Sequence, residues 1–600
     1  MAANITERKA AETSRLAVQW LENNRDQDFF LFLHYYDPHN PYEPPPPFSA
    51  EYTGNHYAGE IAYTDHCIGQ VIAKLKALDL YDSTLIIVTG DHGEMLGEHG
   101  EKDHRFFIYQ SAIKVPLIFK LPGQAKSETV SSPVGLIDIV PTVCRLLRIE
   151  PPAVRGQDLS RTWRPQAAPA PDRTLYAETL FPTTYNANTL LGVVIGQYKY
   201  IQTTRPELYD LTNDPAESHD LATLQPQVAR ILQDRLAQIL EESLRDAASG
   251  SKQALDAQSL ENLRGLGYVG GGISEDFAFD QDKEDPKDFI AFHVLNVEAR
   301  TLAFQKEYAQ AQALAQKLIA QKPDCYLGYE CLAKIVLEQN DYVTAVANLQ
   351  KALPLTGHLD NRFSMHIELC QAFRALGRFE EAITHGEKAI QLRPRDTMGY
   401  NNVAQVMISQ EKYDQAVAYL TKALLNDPEQ TVILNNLAEA LVLQGRVAQG
   451  LEHYEKSLGL SPYQYDTRHR LALLYYQQGL MAQARDHWIT VIRYQPDEPA
   501  VLNSLSWLQA TCRDPKVRDP AEAVALAQRA CELTQSQDPA MLDTLAAAFA
   551  AAGRFDEAVQ TAEQALKLAG AAKQQGLVGR IKNRLESYQA GRPWQEPTDR

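Results

Sequence analysis

The chain is expected to fold as an α/β body ending in a small antiparallel sheet, followed by an all-α solenoid of helical hairpins. Three observations support this. In the first half, apolar runs of strand length (DFFLFLHYY, STLIIVTG, KVPLIFKLPG) alternate with the helical spacing of EIAYTDHCIGQVIAKLKAL. Four shorter runs, TLYAET, LLGVVIG, QYKYIQTT and ELYDL, follow without long helices between them and suggest antiparallel pairing. In the second half, Pro394, Pro428, Pro462 and Pro496 stand 34 residues apart.

Composition narrows the function. The chain has 600 residues, 44% of them hydrophobic, and Lys+Arg 58 against Asp+Glu 76 gives a net charge of −18. That excess repels phosphate backbones and anionic lipid, which argues against nucleic-acid binding. No apolar stretch is long enough for a membrane span, and the first twenty-five residues carry charges throughout, unlike a secretory signal. Seven scattered cysteines without a C-x-x-C argue against a disulfide framework or a structural zinc site.

Five segments follow from the pattern: an α/β portion over 1–159, a small subdomain over 160–244, a linker over 245–288, repeats over 289–571, and a capping helix with tail over 572–600. A Pro- and Ala-rich connector, RTWRPQAAPAPDR, lies within 160–173. The linker is rich in Gly, Ser and acidic residues. In the repeats, Ala382, Ala416, Gly450 and Ala484 keep the 34-residue step, as do Cys370, Ala404, Ala438 and Ala472. Gly377, Gly445 and Gly479 occupy the turn, with Glu411 in the remaining place. The period and the small residues resemble the tetratricopeptide (TPR) repeat, in about eight units. Small residues let paired helices approach, and the stacked hairpins offer a groove suited to a protein or peptide partner.

Two clusters could carry chemistry. TGDHGEMLGEHGEKDH, directly after STLIIV, holds Asp91, His92, Lys102 and His104. Ligands bind beyond the carboxyl ends of strands in open α/β sheets, and a carboxylate beside an imidazole suits a divalent metal. The composition equally describes a solvated acidic loop. HYYDPHNPYEPPPPF, after the first apolar run, holds His34 and His39 among prolines. Such prolines could preorganise His39 against an anion, although a histidine at a strand end is more commonly packed or at the surface.

Together, FLFLHYYDPHNPY, YAGEIAYTDHCIGQV, LIIVTGDHGEMLGEHGE and the VPLIF segment resemble the sulfatase family of the alkaline-phosphatase superfamily. ELYDLTNDPAESHDL at 207–221 looks like the family's C-terminal signature, and ENLRGLGYVGG and EDPKDF resemble the junction in bacterial sulfatase-like proteins with TPR repeats. The resemblance covers roughly 27–270 and implies a metal-dependent hydrolase of sulfate esters. Asp91 and His92 fall on metal ligands that hold calcium in sulfatases, and manganese or zinc in related phosphonate hydrolases. His39 falls on the histidine that contacts the sulfate or protonates its leaving group. His104 falls where a lysine or histidine meets the sulfate oxygens, and Lys102 is a second candidate for that substrate-binding role. Arg105 replaces the family's glycine and either narrows the pocket or helps hold the anion.

The resemblance also exposes an absence. The family's paired aspartates and its C-x-P-x-R motif, whose Cys or Ser becomes the formylglycine nucleophile, do not occur here. This implies that the sulfatase-like domain starts partway through, that central strands are left with unpaired edges inviting aggregation or a partner, and that the chain alone is inactive. A non-catalytic TPR scaffold with a degenerate sulfatase domain, and a phosphodiesterase or phosphonate hydrolase of the same superfamily, are the alternative readings. Compartment is left open, although family members are commonly exported.

Overall fold

A computed structural model describes residues 8–124, 127–163, 173–249 and 280–596. Most of the predicted Pro-rich connector and the greater part of the predicted linker, including ENLRGLGYVGG, lie outside the described residues. The chain divides into two compact units, Met1–Cys331 and Leu332–Arg600. No described helix is long and apolar enough to cross a membrane.

The first unit opens with helix α1 (Ala10–Asn23), a single turn α2 (Phe48–Glu51), and the long α3 (His56–Ala77). Asn55 caps α3 by accepting the Ala58 N–H, as a helix start requires. Ala17 and Leu21 of α1 pack against Val71 and Leu75 of α3, and Phe29, Leu31 and Leu33 close over them. The intervening Phe30 and Phe32 point outward, 86% and 76% exposed. The expected buried strand is therefore corrected: the DFFLFLHYY segment runs without a ladder among the described residues and buries one face only. Period-2 alternation decides which side chains turn inward, but a strand also needs a neighbour to accept its backbone bonds.

Strand β1 (Ile86–Thr89) pairs antiparallel with β2 (Leu117–Lys120), Ile86 opposite Lys120 and Thr89 opposite Leu117. Between them lies a short helix α4 (Gln110–Ile113), and α5 (Ile139–Leu147) follows β2. The four later runs form one antiparallel sheet in the order β3 (Thr174–Thr179), β4 (Leu190–Ile195), β5 (Tyr198–Gln202), β6 (Glu207–Asp210). Helix α6 (Pro226–Ser249) covers it, setting Leu232 and Leu236 against Leu191, Val193, Tyr200 and Leu208. After the undescribed stretch come α7 (Ile290–Phe304) and α8 (Tyr308–Gln321), a helical hairpin with buried Ala299, Ala303, Ala311 and Ala315.

Beyond α9 (Tyr326–Glu338) and α10 (Tyr342–Ala352), the second unit is a run of helical hairpins. They comprise α11 (Leu359–Ala375) with α12 (Phe379–Leu392), α13 (Thr397–Ser409) with α14 (Tyr413–Asn426), and α15 (Thr431–Leu443) with α16 (Val447–Leu460). Next come α17 (Tyr465–Gln477) with α18 (Met481–Tyr494), and α19 (Pro499–Thr511) with α20 (Pro520–Leu533). α21 (Pro539–Ala551), α22 (Phe555–Ala571) and α23 (Gln575–Gln589) complete the series. Ala382, Ala416 and Ala484, and their partners Cys370, Ala404, Ala438 and Ala472, are fully buried. The second half is thus the all-α TPR solenoid that the 34-residue step predicts.

Candidate functional site

Strand β1 delivers Asp91 and His92 into the loop beyond its carboxyl end. Gly93 permits this: its N–H donates to the Ala112 carbonyl at 2.7 Å, and a Cβ there would stand 2.1 Å from the Ser111 carbonyl oxygen. The His92 Nδ1–H donates to the Gly93 carbonyl at 2.8 Å. Its Nε2 lies 3.7 Å from Asp91 Oδ2. The His104 ring stacks on His92 with centroids 3.7 Å apart, and its Nδ1 lies 3.3 Å from Glu94 Oε1.

Glu94 also accepts the Tyr42 hydroxyl, so the loop after the first apolar run meets the loop after β1. Burial, then the charge and hydrogen bond of Glu94, raise the Tyr42 hydroxyl far above its ordinary range. His39 is held within its own loop. Its backbone N–H donates to buried Glu60 at 3.1 Å, and its Nδ1–H to the Asn40 carbonyl at 2.7 Å. Glu60 also accepts the Glu43 N–H at 2.8 Å. Burial pushes the Glu60 carboxyl up against the lowering effect of these two N–H donors. The structure therefore gathers Asp91, His92 and His104. His39 instead meets Tyr36 and Asn40 of its own loop, and Lys102 is exposed.

Asp91 and His92 are a donor pair that could hold a divalent metal. Asp91 offers a carboxylate oxygen and His92 an imidazole nitrogen whose tautomer is set by the Gly93 carbonyl, as in many metal sites. Calcium takes six to eight oxygen ligands, so a pair containing nitrogen suits manganese or zinc better.

Sequence reasoning missed a second constellation. Glu101, Asp103 and His293 bring ligand-type atoms within 4.8 Å of one another. Glu101 accepts the Phe106 and Phe107 N–H groups at 2.6 and 2.9 Å, and Asp103 accepts that of Arg105 at 3.1 Å. Burial, then the hydrogen bond with Asp103, push the Glu101 carboxyl up to about 9. Burial opposes charge on Asp103 too, but hydrogen bonds from His293 and Glu101 overcome it and hold this carboxyl well below its usual range. His293 stands in α7, 190 residues from Asp103, and carries no local signal beyond a histidine in an apolar helical pattern.

The ELYDLTNDPAESHDL segment braces the stretch that follows this loop, at Tyr109 and Gln110. Glu207 accepts the Tyr109 hydroxyl at 3.2 and 3.1 Å. Glu217 meets the Lys199 ammonium at 2.6 Å, with both side chains 1% exposed, and accepts the Gln110 N–H. A cavity of about 390 Å³ lined by Glu98, His99, Tyr209, Glu217 and Asp220 lies beside it, without Asp91, His92 or His104 in its wall.

The sulfatase family model matches residues 5–149, and the model for the C-terminal region of N-sulphoglucosamine sulphohydrolase matches 97–246. Tetratricopeptide repeat models match 296–358, 404–465 and 441–508. Mouse (Mus musculus) arylsulfatase K is 32% identical over 195 residues, 31% of this chain and 35% of that protein. An N-acetylgalactosamine-6-O-sulfatase of Bacteroides thetaiotaomicron is 26% identical over 266 residues, 37% of this chain and 49% of that protein. An ulvan-active sulfatase of Formosa agariphila is 29% identical over 208 residues, 32% and 40% respectively. The chain thus spans between 35% and 49% of the length of these relatives. Residues 5–246 are thus similar to sulfatases, and a stretch similar to tetratricopeptide repeats follows them in the same chain.

Proposed function

We propose that this chain carries the metal- and anion-binding portion of a sulfuric ester hydrolase, joined to a repeat region that takes a protein or peptide partner. The observation supporting this reading is the grouping of Asp91, His92 and His104 at the end of β1. Asp91 and His92 would hold a divalent cation, calcium by family resemblance or manganese or zinc by donor type. Such a cation neutralises charge developing on the transferred group. Lys102 adds positive charge and His104 a ring N–H toward the same anion, and His39 serves to protonate the leaving oxygen. The similarity to arylsulfatase K and to an N-acetylgalactosamine-6-O-sulfatase supports a sulfate monoester as substrate class. This chain alone is expected to be inactive, because it contains no C-x-P-x-R nucleophile motif.

The test uses the purified 600-residue chain with inorganic sulfate, calcium, manganese and zinc, followed by calorimetry, and with aryl sulfate, phosphodiester and phosphonate esters for turnover. Sulfate and metal binding that are lost in His92→Ala, without turnover, is the expected result. Aryl sulfate hydrolysis lost in His92→Ala would overturn the claim of inactivity. Turnover of a phosphonate or phosphodiester would move the chain to the other side of the superfamily. Failure of both metal and sulfate to bind would leave a repeat scaffold with a degenerate hydrolase portion.

A further inference from the structure

His293 is 3% exposed and belongs to α7, the helix that opens the repeat-bearing part of the chain. Its ring lies among Phe106, Phe181 and Tyr185, with centroids 5.1, 5.4 and 5.7 Å away. The Tyr185 hydroxyl lies 2.6 Å from Nδ1, and Nε2 lies 3.3 Å from Asp103 Oδ2. A carboxylate accepts only, so Nε2 carries the proton and Tyr185 donates to Nδ1 when the ring is neutral. Asp103 in turn accepts the Arg105 N–H, and its carbonyl accepts the Met95 N–H at 3.1 Å. Glu101, two residues before Asp103, gathers the Phe106 and Phe107 N–H groups. The backbone of 101–107 is therefore wound on two carboxylates, and one of them is anchored by α7.

Lys102 and His104 flank Asp103 directly. Fixing Asp103 fixes the backbone from which both side chains extend. We propose that His293 is a positioning residue: its hydrogen bond to Asp103 lets helix α7 hold the loop that presents Lys102 and His104. The role assigned to those two side chains rests on the hydrolase reading above, whereas the latch itself does not. Every ligand-type atom of the constellation already has a hydrogen-bond partner, so protons suffice to hold it together.

Two substitutions separate hydrogen bonding from ring packing. His293→Phe keeps the aromatic volume among Phe106, Phe181 and Tyr185 but removes the donor. His293→Gln loses the ring but keeps a donor near the Nε2 position. Hydrogen–deuterium exchange of the full chain should show the Arg105, Phe106 and Phe107 amides exchanging at least about tenfold faster in His293→Phe. They should recover most of their protection in His293→Gln, while β3–β6 and the repeats stay unchanged in both variants. Equal protection in His293→Phe and the wild type would overturn the proposal and leave His293 as a packed ring. Protection that requires added zinc and vanishes with EDTA would overturn it in favour of a metal site.

Sulfate binding by calorimetry in the same variants forms the second arm, and should weaken in His293→Phe and return in His293→Gln. Unaltered sulfate affinity in His293→Phe despite a loosened loop would overturn the positioning role. A wild-type chain that binds no sulfate but shows the exchange pattern would sink the hydrolase reading and support the latch.

Discussion

Lys199 carries its ammonium to a position where the side chain is 1% exposed, and Glu217 meets it at 2.6 Å. Burial drives the lysine's affinity for its proton down, and Glu217, the largest opposing influence, restores part of it. The lysine also donates to the Ile108 carbonyl at 2.5 Å, so the pair ties the small sheet to the segment that follows the site loop. Glu217→Gln leaves a buried ammonium without its counter-charge, which costs about 3 kcal/mol. The expected outcome is a lower unfolding midpoint for the first unit in denaturant, with the repeats unaffected, read by hydrogen exchange. Sequence motif reading exposed Asp91, His92 and His104 because they are close together in the chain and follow an apolar strand. It could not expose Glu217 or His293, whose partners stand 18 and 190 residues away.

Among the elements, the repeats allow each position to be checked against its equivalents. Gly377, Gly445 and Gly479 adopt φ of 71°, 86° and 75° at the turn, and Glu411 takes the same place with φ 60°. A left-handed backbone is strained for a side-chain-bearing residue and free for glycine. Glu411→Gly should therefore stabilise the α13–α14 hairpin by about 1 kcal/mol, seen as a raised thermal midpoint. The reverse argument applies at Gly450, where the equivalent positions carry alanine. A Cβ there would stand 2.9 Å from the Ala438 carbonyl oxygen and 2.6 Å from a Val442 methyl. Gly450→Ala should destabilise the α15–α16 hairpin by about 1–2 kcal/mol despite alanine's better helix propensity. The turn difference is visible in the sequence, since it breaks a period. The Gly450 contact is not, because periodicity reports spacing along the helix and not how closely two helices approach.

At the scale of the whole molecule, the second unit holds histidines that are expensive to charge. His366 and His385 lie with Nδ1 atoms 2.8 Å apart. Burial, then His385, Lys388 and Arg362, bring His366 down to about 4. Burial and Lys388 lower His385 while Glu381 opposes, and burial is likewise the first cause at His453, His469 and His487. A histidine whose folded-state pKa is depressed gives stability that is complete above its unfolded value near 6.5 and is lost as pH falls toward the folded value. The repeat region should thus lose roughly 5 °C of thermal midpoint between pH 7 and pH 5. His366→Gln should flatten that dependence. In the first unit, Phe30 and Phe32 expose large apolar rings on a segment with no described ladder partner. Such surfaces associate. Concentration-dependent self-association in sedimentation, reduced in the Phe30→Ser/Phe32→Ser double variant, is the expected outcome.

Period and order were legible in the sequence: a 34-residue step for the repeats, short strands in succession for the small sheet, and a motif-bearing loop after an apolar run. Each is a local property, since side-chain direction and turn formation follow from a few neighbouring residues. Partnership was not legible. Whether DFFLFLHYY finds a ladder, whether Glu94 joins Tyr42 to His104, and whether a repeat helix reaches back to hold the loop beside Lys102 depend on residues brought together from distant parts of the chain. Hydrogen bonds and burial act through space, and chain folding alone determines which distant groups share that space.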